Sequence, residues 1–227
     1  MKKIINWFKE YGYYYKIHFI IGAFALLMAV IITIQVVTKV DYDIYVTYLG
    51  PIAHNTDSLD SIEKAIISTL DDDLKKEVKE ISIRDIVYLN TELFSESRDN
   101  DMFVSATSNS DAVKLLNNEI AVGDSYIYII DKEQYDKIKL TGALSKLSDV
   151  LTDVPSYADV YGIPLKKTPF GQSFACFANY REDMILCLRA NTADSAVSAL
   201  KGSETVQAEF DLHRKVFEKI VNYIPDK

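Results

Sequence analysis

Residues 17 to 38, "IHFIIGAFALLMAVIITIQVVT", form an uncharged run of 22 between Lys16 and Lys39. As a helix such a run rises about 33 Å, the reach of a bilayer-spanning segment. It is longer than the apolar core of a secretory signal, and "VVTKVDYD" follows where a small-x-small cleavage site would stand. The expectation is an uncleaved anchor over 17–38, with residues 1–16 before it and a domain over 41–227 after it.

The pattern then changes period. "DYDIYVTYLG" sets Ile44, Val46 and Tyr48 against Tyr45, Thr47 and Leu49, apolar on both sides, and ends at Gly50-Pro51; this is how a strand buried on both faces reads. Leu59, Ile62, Ile66, Leu70 and Leu74 recur at helical spacing, with Asp60 and Glu63 as a capping box. "VKEISIRDIVYL", 78–89, alternates as a strand with one irregular point, and the polar residues 90–101 read as a loop. "MFVSATS" reads either as a short strand or as a lead into the next helix, "AVKLLNNEIA", capped by Ser110 or Asp111, with Gly123 expected at positive φ past its end. "YIYIID" is a third strand. Alternating strands and helices predict an α/β fold with a mostly parallel sheet and right-handed crossovers.

Beyond it, "KEQYDKI" and "LTGALSKLSDVLTDV" read as short helices or turns and "YGIPL" as an extended piece. "GQSFACFANYREDMILCLRA" reads as a hairpin with Asn179–Asp183 at its tip. "EFDLHRKVFEKIVNYI" is a helix with a stripe of Phe210, Phe217, Ile220, Val221 and Ile224, and with His213 on its solvated side.

Charge orients this layout. Lys2, Lys3, Lys9 and Lys16 against Glu10 give the first 16 residues +3, which leaves −11 of the chain's net −8 for the rest. Basic residues stay on the cytoplasmic side, so the acidic domain is expected outside the cell, on a single-pass membrane protein. The aromatics Trp7, Tyr11, Tyr13, Tyr14, Tyr15 and Phe19 suit an interfacial belt. The acidic balance excludes a nucleic-acid partner, which needs a basic face. A composition rich in Ile, Lys, Asn and Tyr, without Asn-x-Ser/Thr sites, is consistent with a bacterial cell-surface protein.

Catalytic motifs are lacking: there is no Gly-x-Ser-x-Gly, no His-Glu-x-x-His and no Gly-rich phosphate loop. No enzyme, metal or cofactor is expected. Asp71, Asp72 and Asp73, three in a row, cannot converge on a cation and read as a solvated helix end. Ligands of open α/β sheets bind beyond the carboxyl ends of the strands, which makes Tyr48, His54, Asn55 and Tyr161 the candidate ligand residues; the competing reading puts Tyr48 in the core and Tyr161 in a packing contact. The hairpin brings Cys176 opposite Cys187 as a candidate disulfide, with two buried thiols as the alternative.

Leu116, Glu119, Ile120, Gly123 and Asp124 ahead of "SYIYIID", then "GALSKLSDVL" at 142–151 and "YGIPL" at 161–165, stand in an order that resembles extracellular solute-binding proteins of the periplasmic-binding-protein type 2 class. The resemblance covers about residues 41–165. It implies one lobe of such a protein, with "YGIPL" as the strand that crosses to a second lobe. Only 62 residues remain after Leu165, Ser125-Tyr126 replaces the family's Pro-Asp pair, and a spanning run replaces a lipid-bearing Cys. The chain therefore looks like a reduced, membrane-anchored, single-lobe relative that binds a small solute, sugar or peptide; the alternative is a non-catalytic structural subunit contacting a membrane-protein partner.

Overall fold

In a computed structural model of the chain, residues 16–37, 42–99, 106–191 and 202–225 are described. They fall into two units, Met1–Asp41 and Tyr42–Lys227. In the first, helix α1 spans Lys16–Val37. Its described side chains from Ile20 to Ile34 are all exposed. Those fifteen residues rise about 22 Å, and among the described residues no helix is long and apolar enough to cross a membrane.

The second unit is α/β. Strands β1 (Ile44–Gly50), β2 (Ile81–Val87), β3 (Ile127–Asp131), β4 (Gly162–Pro164) and β5 (Met184–Leu188) form one sheet in the order β2-β1-β3-β5-β4. β1 pairs in parallel with β2 and β3, while β5 lies antiparallel between β3 and β4. The sheet is thus mixed, with one reversed strand. Helices α2 (Thr56–Thr69) and α3 (Leu74–Glu77) link β1 to β2; α4 (Thr91–Asp99) and α5 (Ala106–Val122) link β2 to β3. Helices α6 (Lys132–Ile138) and α7 (Leu147–Val150) follow β3, α8 (Pro169–Ser173) lies between β4 and β5, and α9 (Ser203–Val221) comes last.

Strand alternation sends successive side chains to opposite faces, and each face carries its own core. Ile44, Val46 and Tyr48 of β1 join Ile62 and Ile66 of α2 and Phe210, Phe217 and Ile220 of α9. Leu49 joins Leu116 of α5 and Tyr135 and Ile138 of α6 on the other face. Burying an apolar side chain of this size stabilises by about 2 kcal/mol, so the α9 stripe holds that helix to the sheet. Ile224, expected in the stripe, lies past the helix end and is 83% exposed.

Several local expectations are corrected. The cap of α2 is Asn55, whose Oδ1 accepts the Ser58 N–H at 2.8 Å, so the helix starts before the Asp60–Glu63 pair. The polar stretch after β2 is helix α4, because Asn90 Oδ1 accepts the Leu93 N–H at 3.0 Å. α5 begins at Ala106, ahead of Ser110 and Asp111; Met102–Ser105 of "MFVSATS" lie outside the described residues. The hairpin is absent: only its second arm is a strand, and the first arm is α8 and a 3₁₀ turn, Ala175–Phe177. Thr168 Oγ1 accepts the Gly171 N–H at 2.9 Å and Pro169 opens α8, a strong helix start.

Gly123 is not at positive φ; among the described residues Gly142 and Gly202 are. A Cβ at Gly123 would run into the Glu119 carboxyl and stand 2.6 Å from the Glu119 carbonyl oxygen. Glu119 is buried, pairs with Arg84 and accepts the Ser125 N–H at 3.1 Å. Arg189, 2% exposed, donates through one terminal nitrogen to the carbonyls of Glu119 at 3.0 Å and Gly123 at 2.8 Å. The Gly-Asp turn is therefore a helix end capped by a buried arginine.

Candidate functional site

The strand order reverses between β1 and β3, since the chain moves from β1 to one side and later to the other. The carboxyl ends of strands flanking such a point form the usual crevice of an open α/β sheet. At this end of β1, Gly50 leaves room for the Tyr48 ring, which folds back over it: an added Cβ would stand 2.6 Å from Tyr48 Cζ. The Ile52 N–H donates to the Tyr48 hydroxyl at 3.1 Å.

His54 follows. Its backbone N–H donates to Asp85 Oδ2 at 2.8 Å, and its Nδ1 lies 3.0 Å from Asp85 Oδ1. An ionised carboxylate only accepts, so Nδ1 carries the proton and Nε2 is left to accept. Nε2 meets the Tyr180 hydroxyl at 2.9 Å, which donates to it. The Tyr48 ring stands edge-on to the imidazole at 4.6 Å and tilted to the Tyr180 ring at 5.2 Å. Tyr48 is 1% exposed, Tyr180 4%, and the His54 side chain 4%. Burial raises the pKa of both phenols, and the Asp85 charge adds to it.

Beside these rings lies an open pocket of about 570 Å³, lined by Asn55, by Asp57, Ser58 and Ser61 from the first turns of α2, by Phe174, Cys176 and Asn179, and by His54 and Tyr180. Asn55 caps α2 from the pocket rim. Among the described residues no Lys or Arg lines it. A flank of carboxylates continues along the edge. Asp131, fully buried at the end of β3, accepts the Glu133 N–H at 2.8 Å and an Asn90 side-chain N–H at 3.0 Å. Burial raises its pKa, with the Asp183 charge adding to the effect. Arg181 spans Asp183 at 3.0 Å and Glu92 at 3.2 Å.

Of the four expected ligand residues the fold brings together Tyr48, His54 and Asn55. Tyr161 is separated: it precedes β4, at the amino end of the parallel strands, and packs on the core of the opposite face. Asp85 and Tyr180 were missed. Asp85 is the irregular point in the β2 pattern, where a charge stands on a core-facing register position. Tyr180 was masked by the polar residues around it.

The cysteines are both free. Cys187 is fully buried on one face of the sheet, whereas Cys176 packs on the other. No bridge can pass through the sheet, which removes the disulfide. His213 is also not solvated. It is 2% exposed, its Nδ1 donates to the Glu209 carbonyl at 2.7 Å, and its Nε2 accepts the Tyr45 N–H at 3.2 Å.

Asp85, His54 and Tyr180 have the order of a carboxylate, an imidazole and a hydroxyl, as in nucleophile triads. Here the hydroxyl is a buried phenol with a raised pKa that points inward, so the chain of bonds fixes rings in place and offers no exposed nucleophile. Among the described residues no group of three or more His, Cys, Asp or Glu is placed to hold a metal ion. No protein-family model, curated protein or solved structure matches the chain.

Proposed function

We propose that the chain is a membrane-anchored extracytoplasmic binding module, a reduced relative of one solute-binding lobe, that holds a small solute, sugar or peptide without chemistry on it. The observation that carries the reading is the 570 Å³ pocket at the strand-order reversal, with hydroxyls, an amide and the Phe174 ring on its walls; volumes of 300–1,000 Å³ and a few convergent polar groups are usual for ligand sites. The anchoring role is supported by the sequence run 17–38 and by an α1 that is apolar all round, which has no face to turn toward a core of its own. The reduced-lobe reading is supported by the path after β4. Residues 165–183 return the chain directly as β5 where the resemblance calls for a crossing to a second lobe.

Two measurements test the proposal. Cells making the full chain, treated with a membrane-impermeant thiol reagent, should label Cys176 only if the domain lies outside. In non-ionic micelles the full chain is screened thermally against disaccharides and tripeptides; a ligand at a hundred times its Kd stabilises by about 2.7 kcal/mol. A class that raises the midpoint of the wild type and not of Phe174→Ala supports the pocket. No shift from any class counts against binding.

A second reading, a non-catalytic subunit contacting a membrane-protein partner, is favoured by a separate observation. Leu140, Val154, Tyr157 and Val160 are exposed apolar side chains on two loops joined by the Lys139–Asp159 ion pair. Co-purification that is lost in Leu140→Ser, with the thermal midpoint unchanged, would favour it.

A further inference from the structure

Tyr180 belongs to a short turn between two fixed points. Phe177 and Met184 are both fully buried and anchor its ends. Between them Ala178, Asn179 and Glu182 are exposed, Arg181 and Asp183 are half-buried, and Tyr180 is the one buried side chain. The backbone bonds here are local: Tyr180 N–H to Phe177 at 3.0 Å and Met184 N–H to Arg181 at 3.3 Å. Side-chain ties at the surface are Lys166 to the Ala178 carbonyl and to Glu182, and Arg181 to Glu92, and exposed ties of that kind hold weakly.

The slot that the Tyr180 ring fills is built without it. Gly50 and the Ile52 N–H fix Tyr48, and Asp85 fixes the His54 ring with its acceptor nitrogen aimed at the phenol. His54 and Tyr180, which bound the slot, also line the 570 Å³ pocket.

Resting on the reading of this edge as the binding edge, we propose that residues 178–183 are a flap latched by Tyr180, and that the slot beneath, between Tyr48 and His54, is a site for an aromatic ring bearing a hydroxyl donor. In the structure the flap supplies that ring itself. An outside ligand of the same chemistry competes with Tyr180, and the flap moves out as it binds.

The two cysteines report on this independently, in the full chain in micelles. Cys176 lines the pocket beside the flap, and Cys187 is sealed within the sheet. Tyr180→Phe removes the bond to His54 and should raise the alkylation rate of Cys176 about five-fold, the usual worth of one neutral hydrogen bond, with Cys187 unchanged. Equal acceleration of both thiols, or of neither, would mean that Tyr180 is ordinary core and overturns the latch. In Tyr180→Ala, p-cresol should raise the thermal midpoint by several degrees, toluene by clearly less, and the wild type should respond weakly to both. No response of Tyr180→Ala to p-cresol, or an equal one from the wild type, overturns the ligand class. Should Tyr180→Ala not fold, p-cresol is titrated against Tyr180→Phe, where a saturable rise in Cys176 labelling is required and its absence is decisive. If p-cresol fails while a sugar or peptide stabilises the wild type, the aromatic ligand class falls and the binding-module reading stands; if all fail, both fall.

Discussion

Arg189→Met tests the buried cap of α5. In the native chain one guanidinium nitrogen donates to Glu119 O at 3.0 Å and Gly123 O at 2.8 Å, with Ile120 O farther at 3.4 Å, and the guanidinium carbon lies 4.1 Å over the Tyr126 ring. Charge-assisted bonds contribute about 1.5–3 kcal/mol each and a desolvated cation–π contact about 2. Against these stands the cost of burying the group, and Nε has no hydrogen-bond partner, an omission worth about 1–3 kcal/mol. Methionine keeps the stem's packing, removes the charge, takes the arginine donor from the Gly123 carbonyl and leaves the Glu119 carbonyl with the Gly123 N–H at 2.9 Å alone. The net expectation is a loss of about 3 kcal/mol, read as a lower urea midpoint at unchanged slope in far-UV circular dichroism of the full chain in non-ionic micelles. Arg189→Lys keeps the cation over the ring but loses the planar fork, and should fall between. A loss below about 1 kcal/mol in Arg189→Met, or no loss in Arg189→Lys, would refute the cap as the reason this arginine is buried.

Three other outcomes are expected. His213→Leu orphans the Tyr45 N–H and should cost about 1–3 kcal/mol, with faster amide exchange at Tyr45 and no change in the midpoint shift produced by any pocket ligand. Glu133 is pushed up by burial, yet Lys137 and the Thr91 N–H and hydroxyl outweigh this and hold its carboxyl down to about 2. Its folded pKa is thus below the unfolded value near 4.5, so its contribution is full above that value and is lost as pH falls toward 2. The partly exposed setting limits it to about 1 kcal/mol, so the gap in stability between wild type and Glu133→Gln should be present at pH 6 and close on acidification; a gap that widens would reverse the sign. Denaturation without reductant, followed by alkylation and mass spectrometry, should add two labels per chain, whereas a bridged protein adds none.

The frame was legible because β1, β3 and the α9 stripe obey one period each, and a strand apolar on both faces leaves few places to stand in a sheet. Where two signals competed, the weaker-looking one decided. "GQSFACFAN" carries enough apolar residues to pass as a strand, but Thr168-Pro169 ahead of it is a cap followed by a residue preorganised for a first turn, and it starts helix α8, which a 3₁₀ turn follows. Helix α4 is too polar to be read by periodicity. It stands because Asn90 caps it and because Thr91 bonds Glu133 from another element at 2.7 Å, a tertiary cause invisible in a window of sequence. Arg189 belongs to the same class: a basic residue after a strand looks like a surface end until the end of α5 is brought to it.

The two histidines of the domain carry the same lesson to the level of a single side chain. In the sequence one sits in a loop and one on a helix, which favours His54 for function and His213 for solvent. In the fold both are buried Nδ1–H tautomers, each donating to a fixed oxygen and accepting with Nε2. What separates them is the donor that Nε2 faces. For His213 it is a backbone N–H of β1, which cannot leave without unmaking the start of a central strand. For His54 it is a phenol on a six-residue turn, packed on the Tyr48 and Phe177 rings, which the proposed flap would withdraw while Tyr48, Asp85 and the sheet stay as they are. Replaceability of the donor, more than the histidine itself, is the ground on which we propose the β1–β3 edge as a site and read the α9 contact as a piece of structure.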